Sequence, residues 1–210
     1  MPRTDSGTVF APLPGFRLLL GFLDATRQRD LMAAVQAVLA EAPAYHAAMP
    51  KTGQKMSVAM SNAGALGWYT DKDGGYRYIA QHPETGRAWP AIPQIALDVW
   101  RAVVPEASEP EACLINLYRD TAKMGLHQDR DEADFSAPVV SISLGDEALF
   151  RLGGTTRKAP TRAFKLSSGD VLVLGGEARL AFHGIDRVLP GTSRLVPGGG
   201  RINLTLRRVT

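Results

Sequence analysis

The chain of 210 residues carries a single cysteine, Cys113, so no internal disulfide can form and no thiolate cage for zinc is available. A lone thiol points to a reducing compartment, and the expected location is the cytoplasm. Long hydrophobic runs are missing as well: no stretch approaches the roughly 18 apolar residues of a membrane span. Residues 1–14 lack the basic start followed by an apolar run that marks a secretory leader. Histidine is scarce, confined to His46, His82, His127 and His183. Neither sign of charge dominates, with 24 Lys and Arg against 21 Asp and Glu; the net charge of +3 is only a mild inclination towards an anionic partner. Internal repeats and low-complexity segments are absent too.

What is present fits one domain. Residues 1–15, with Pro2, Pro12 and Pro14, read as a loose arm ahead of a single domain over 16–210. Phe16 to Phe22 reads as a strand. Asp24 then caps a helix with Leu31, Met32, Val35, Val38 and Leu39 on one face. A second helix begins near Pro93, with Ile92, Ile95, Val99, Trp100 and Val103 as its stripe. Between the helices, residues 50–91 interleave glycines with Trp68, Tyr69, Tyr76, Tyr78 and Trp89. Such a segment either packs its aromatics on the core or presents them to a ligand. From Ala112 on, short strands follow one another: 113–118, 139–144, 148–152, 163–166, 171–174, 179–183 and 201–208. Turns such as Ser168-Gly169-Asp170 and Gly175-Gly176 separate them. Many short, evenly spaced strands indicate a sandwich or jelly roll, with two helices over one face.

His127 and Asp129 form a His-x-Asp pair whose side chains share one face if the segment is extended. His183 ends an apolar stretch far downstream. Two histidines and one carboxylate can hold one face of an iron(II) ion and leave positions open. A His-x-Asp pair by itself is weak, since chance supplies one in about a quarter of such chains. The last strand adds weight. Arg201, Asn203, Thr205 and Arg207 alternate with Ile202, Leu204 and Leu206. A polar face with two arginines suits a small dicarboxylic acid, because the guanidinium fork binds carboxylate in a bidentate way. Asn116 and Tyr118 alternate similarly and are further candidate contacts. The plainer reading is a solvated strand face.

Taken in order, these segments resemble a known family. Leu114-Ile115-Asn116-Leu117-Tyr118, Met124-Gly125-Leu126-His127-Gln128-Asp129-Arg130-Asp131-Glu132 and Pro138 to Gly145 are similar to the AlkB family of nucleic-acid dealkylation dioxygenases. So are Gly169-Asp170-Val171 to Glu177, Phe182-His183-Gly184-Ile185 and Arg201 to Arg207. Upstream, Met56 to Met60 and Leu66-Gly67-Trp68 resemble its bacterial members. The likeness runs from about residue 16 to 208.

The resemblance implies a mainly β fold with flanking helices: a double-stranded β-helix (jelly-roll) core, N-terminal helices, and residues 50–91 as a nucleotide-recognition lid. It implies iron(II) on His127, Asp129 and His183, and 2-oxoglutarate on Asn116, Tyr118, Arg201, Asn203 and Arg207. It places Trp68, Tyr76, Asp131 and Arg157 at the damaged base, with Glu132 a further neighbour. The implied reaction consumes O2 and 2-oxoglutarate and hydroxylates an N-methyl group of a base such as 1-methyladenine or 3-methylcytosine. The hemiaminal collapses to formaldehyde, leaving succinate and CO2. The expected partner is alkylated nucleic acid, single-stranded DNA first and RNA second, met by a monomer with no membrane and no obligate protein partner. A protein side chain or a metabolite is the alternative substrate for the same chemistry. The loop Thr192 to Gly200 departs from the pattern and carries no function on this reading.

Overall fold

A computed structural model describes residues 9–210. The strands are β1 (Val9–Phe10), β2 (Phe16–Leu19), β3 (Ala59–Gly64), β4 (Gly67–Asp71), β5 (Gly75–Ile79), β6 (Ala112–Tyr118) and β7 (Met124–His127). Then come β8 (Val139–Gly145), β9 (Glu147–Leu152), β10 (Arg162–Leu166), β11 (Val171–Leu174), β12 (His183–Leu189) and β13 (Arg201–Arg207). Two helices, α1 (Ala25–Glu41) and α2 (Gln94–Val103), precede the second run of strands. The expected arm at 1–15 lies partly outside the described residues; within them, β1 pairs with β2 in antiparallel fashion. No helix among the described residues is long and apolar enough to cross a membrane.

Seven strands form a large sheet in the order β1-β2-β11-β8-β13-β6-β3, and four form a smaller one, β10-β9-β12-β7. This is the expected jelly-roll sandwich of antiparallel strands. Strand alternation assigns each side chain to a layer. Ile202, Leu204 and Leu206 of β13 join Ile115, Ile142 and Leu144 in a cluster with Leu31, Val35, Val99 and Trp100 of the helices. The opposite face of the sheet meets the small sheet through Phe16, Leu172, Leu174, Phe150, Leu152 and Ile185. The polar residues of β13 therefore point between the sheets. At the start of α1, Asp24 accepts from the Arg27 backbone amide at 2.8 Å, the expected cap.

Three sequence expectations need correction. The first strand stops at Leu19, where the chain turns through Gly21 at φ +59°. Residues 59–64, read as part of the recognition segment, form β3 at the edge of the large sheet, paired with β6. Met60, Ser61, Asn62 and Ala63 are all buried there, which the glycine-and-aromatic composition around them conceals. The strand expected over 179–183 is instead a 3-10 turn, Gly176–Leu180, and β12 begins at His183. The apolar alternation there is real, but Arg179 turns inward to backbone carbonyls and holds the segment off the sheet.

Candidate metal and cosubstrate site

β7 and β12 pair so that His127 lies opposite His183 in the small sheet, their ring centroids 4.5 Å apart. The sheet bulges just beyond, between His183 and Ile185. Gly184 permits it: a Cβ there would lie 2.5 Å from the Met124 carbonyl oxygen. Asp129 follows β7 directly, with Oδ1 at 3.6 Å from His127 Nε2 and Oδ2 at 3.8 Å from His183 Nε2. One ligand atom from each residue falls within 4.8 Å of the others. Both rings use Nδ1 against a backbone carbonyl two residues earlier, Gly125 and Ala181, each at 2.9 Å. That fixes the Nδ1-protonated tautomer and leaves both Nε2 lone pairs aimed inward, as metal ligation requires.

Electrostatics keep this set in ligating form. Burial works against a charged Asp129, but Arg207 and then the two histidines overcome it and hold the carboxyl far below the usual range. Burial, with His127 beside it, pushes the His183 imidazole down to about 4, so the ring is neutral near pH 7. Two imidazoles and a carboxylate make the donor set of a 2-His-1-carboxylate iron(II) centre.

A polar floor adjoins the triad. In β13 Arg201 pairs with Tyr118 and Asn203 with Asn116 of β6; on the other side Asn203 and Thr205 face Ser143 and Ser141 of β8. Asn203 donates to Ser141 Oγ at 2.6 Å and Arg201 Nη2 to Ser143 Oγ at 2.8 Å. Arg201 is 1% exposed, yet among the described residues no carboxylate pairs with it, and its Nε and Nη1 have no hydrogen-bond partner. Burial brings its pKa down to about 10. An unpaired buried guanidinium is destabilising unless a carboxylate joins it, so the site fits a dicarboxylic acid with one end here. Arg207, at the other end of the strand, meets Asp129 Oδ1 at 3.0 Å.

The hairpin β4–β5 covers the mouth. Trp68, Thr70, Tyr76 and Tyr78 share one face of it, and Tyr69 and Arg77 the other. Trp68 and Tyr76 stack at 5.7 Å, Tyr76 being 52% exposed, and the Trp68 indole donates to Asp131 Oδ2 at 2.8 Å. Asn62 pins the Trp68 backbone from below, accepting from its amide at 3.0 Å and donating to its carbonyl at 3.1 Å. On the far side Arg157 is exposed, with its guanidinium 5.8 Å from the Phe182 ring, next to His183. Twelve expected positions thus converge on one region. Glu132 does not reach the mouth, where a base neighbour would stand: it is buried, held by Arg179 at 3.0 Å and Tyr78 at 2.5 Å and lying 3.3 Å from Arg207. Sequence reasoning missed Ser141, Ser143, Asn62 and Arg179; strand parity beside β13 could have found the two serines.

Triad, cradle and sandwich define an iron(II) oxygenase scaffold, and the comparisons agree. The model of the 2OG-Fe(II) oxygenase superfamily matches residues 15–207. Within that class the chain belongs to the AlkB family of alpha-ketoglutarate-dependent dioxygenases, and it is an oxidoreductase that uses Fe(II), 2-oxoglutarate and O2. It is 58% identical over 196 residues to the alpha-ketoglutarate-dependent dioxygenase AlkB homolog of Caulobacter vibrioides, covering 93% of this chain and 88% of the relative. To the alpha-ketoglutarate-dependent dioxygenase AlkB of Escherichia coli it is 45% identical over 160 residues, 74% and 73% of the two chains. The solved structure of OsALKBH1 superposes with a TM-score of 0.79 at 32% identity, over 96% of this chain and 100% of that one.

Proposed function

We propose that the chain is an oxidative demethylase of damaged nucleic-acid bases, with 1-methyladenine and 3-methylcytosine in single-stranded DNA as its first substrates and RNA as its second. One observation carries this reading: the Trp68–Tyr76 platform is bonded through the indole to Asp131, two residues from Asp129 of the metal triad. An aromatic surface and a carboxylate at the mouth suit a cationic methylated ring, which aromatic faces attract. A methyl group on the base-pairing edge is reachable only if the base leaves its stack, which favours single strands.

In this reading His127, Asp129 and His183 hold iron, which when bound supplies oxygen activation coupled to decarboxylation of 2-oxoglutarate. Arg201 receives one cosubstrate carboxylate, with Asn116, Tyr118 and Asn203 lining the floor and Arg207 beside Asp129. Trp68 and Tyr76 place the base, Asp131 accepts from its exocyclic amine, and Arg157 stands at the opposite rim. The chain's contribution is placement of the methyl carbon, and the two Nδ1 bonds keep the ligand rings from turning. The protein works as a monomer.

Incubation with iron(II), 2-oxoglutarate and oligonucleotides carrying each lesion tests this, in single- and double-stranded DNA and in RNA. Restored bases and formaldehyde are expected, fastest with single-stranded DNA. Succinate formation with every oligonucleotide left methylated would move the activity to another substrate class.

A further inference from the structure

The Glu132 carboxylate is 1% exposed, and both of its oxygens are engaged. Oε2 accepts from Arg179 Nη2 at 3.0 Å. Oε1 accepts from the Tyr78 hydroxyl at 2.5 Å and lies 3.3 Å from Arg207 Nε. Tyr78 belongs to hairpin strand β5 and Arg207 to the cradle strand β13, so a single oxygen atom joins the two elements.

The two approaches to that oxygen are unequal. Tyr78 makes a short, charge-assisted bond, whereas Arg207 Nε and Nη1 have no hydrogen-bond partner. Arg207 is hydrogen-bonded only through Nη2, on Asp129, and its Nε meets Glu132 Oε1 by charge alone, at 3.3 Å. Two N–H groups of a buried guanidinium thus stay open while the hairpin phenol occupies the nearest acceptor. Arg179 holds the other side of Glu132 in place and also donates to the Asp129 carbonyl at 2.6 Å and the Ala137 carbonyl at 2.9 Å. The carboxylate therefore has little room to swing.

We propose that Glu132 is a positioning residue through which Tyr78 of the hairpin sets how much of Arg207 is available to 2-oxoglutarate. The inference rests on the reading of Arg207 as a cosubstrate residue. With Tyr78 bonded, Oε1 is engaged by the phenol and holds Arg207 Nε only loosely, so the Nε and Nη1 protons stay without a hydrogen bond and open to an incoming carboxylate. With Tyr78 withdrawn, Arg207 Nε closes the existing 3.3 Å approach to Oε1 into a hydrogen bond, and that tightened pair competes with the cosubstrate. A closed hairpin and bound 2-oxoglutarate then favour one another by the same factor, as linkage requires. Substrate nucleic acid, which engages the same hairpin face, would tighten cosubstrate binding without touching it.

The test is 2-oxoglutarate affinity, titrated on the protein loaded with Mn(II), without oxygen or nucleic acid. Tyr78→Phe removes one hydroxyl and little else, and its dissociation constant should rise on the order of five- to tenfold. Glu132→Asp keeps the charge but draws it back from Arg207, so combined with Tyr78→Phe it should return affinity towards wild type. Arg77→Gln breaks the Asp71–Arg77 bridge on the opposite face and should leave affinity within twofold of wild type. Melting temperatures record whether each variant is folded. Unchanged affinity in Tyr78→Phe, or an equal loss in Arg77→Gln, would overturn the inference while leaving the cosubstrate site intact. Wild-type protein that binds no 2-oxoglutarate would overturn the proposed function, and this inference with it.

Discussion

Arg201 sits in the sheet interior with two donors unmatched, so the ligand-free protein holds a charge it has not compensated. Replacing such a charge by an apolar side chain of similar length is stabilising when no ligand is present. Arg201→Met should therefore raise the unfolding free energy of the ligand-free protein by about 1–3 kcal/mol. It should also lose the rise in melting temperature that 2-oxoglutarate gives wild type, which thermal scans with and without the acid would record. His183 makes a second prediction. Its folded pKa, about 4, lies below its unfolded value of 6.5, so between those values the unfolded chain takes up a proton that the native state refuses. Stability of the metal-free protein should fall as pH drops from 6.5 to 4, by about 3 kcal/mol from this group, and level off below. Denaturant midpoints across that range would show it, and a flat profile would contradict a neutral buried ring. At this scale the sequence was informative where spacing is local, as in His127-Gln128-Asp129. Glu132 and Arg179 were opaque because their hydrogen-bond partners lie 42 to 54 positions away along the chain, and Arg207, which pairs with Glu132 by charge, lies farther still.

Among the elements, β13 was legible and the hairpin only half so. Alternation over Arg201–Arg207 shows that one face is polar, but not whether that face meets solvent or a second sheet; burial of all seven residues decides it. The 3-10 turn before His183 was misread because inward-turned Arg179 imitates the polar position of an alternating strand. For β4–β5, composition announced bends and aromatics, while Asn62, the amide that fixes Trp68, lay in an unrecognised strand of the core. Trp68 turns out half-buried, between platform and core, with its ring nitrogen on Asp131. Trp68→Ala should weaken binding of a methylated oligonucleotide by about 1–3 kcal/mol, the worth of one base–aromatic stack. That is roughly five- to 150-fold in dissociation constant. Cosubstrate turnover without nucleic acid should survive, since the triad and Arg201 lie outside the hairpin. Parallel loss of both activities with a large drop in melting temperature would make Trp68 a core residue and not a stacking one.

Across the whole molecule, the sandwich divides its labour by face. The helix side of the large sheet supplies the apolar cluster that holds β6, β8 and β13 in register. The inner face of the same strands carries the polar floor, and the small sheet brings His127 and His183 over it from the opposite layer. Reactive groups from residues 116 to 207 meet only because the two sheets close on one another, which is why spacing along the chain could not by itself establish the site. On the proposed function, this cradle couples cosubstrate oxidation to removal of a methyl group from a base. Paired quantification of succinate and formaldehyde, with a single-stranded oligonucleotide carrying 3-methylcytosine, tests it most directly. Above the succinate formed without nucleic acid, equal amounts of the two products and one restored cytosine per formaldehyde are expected, whereas succinate released at an unchanged rate with no formaldehyde and no restored base would contradict this coupling.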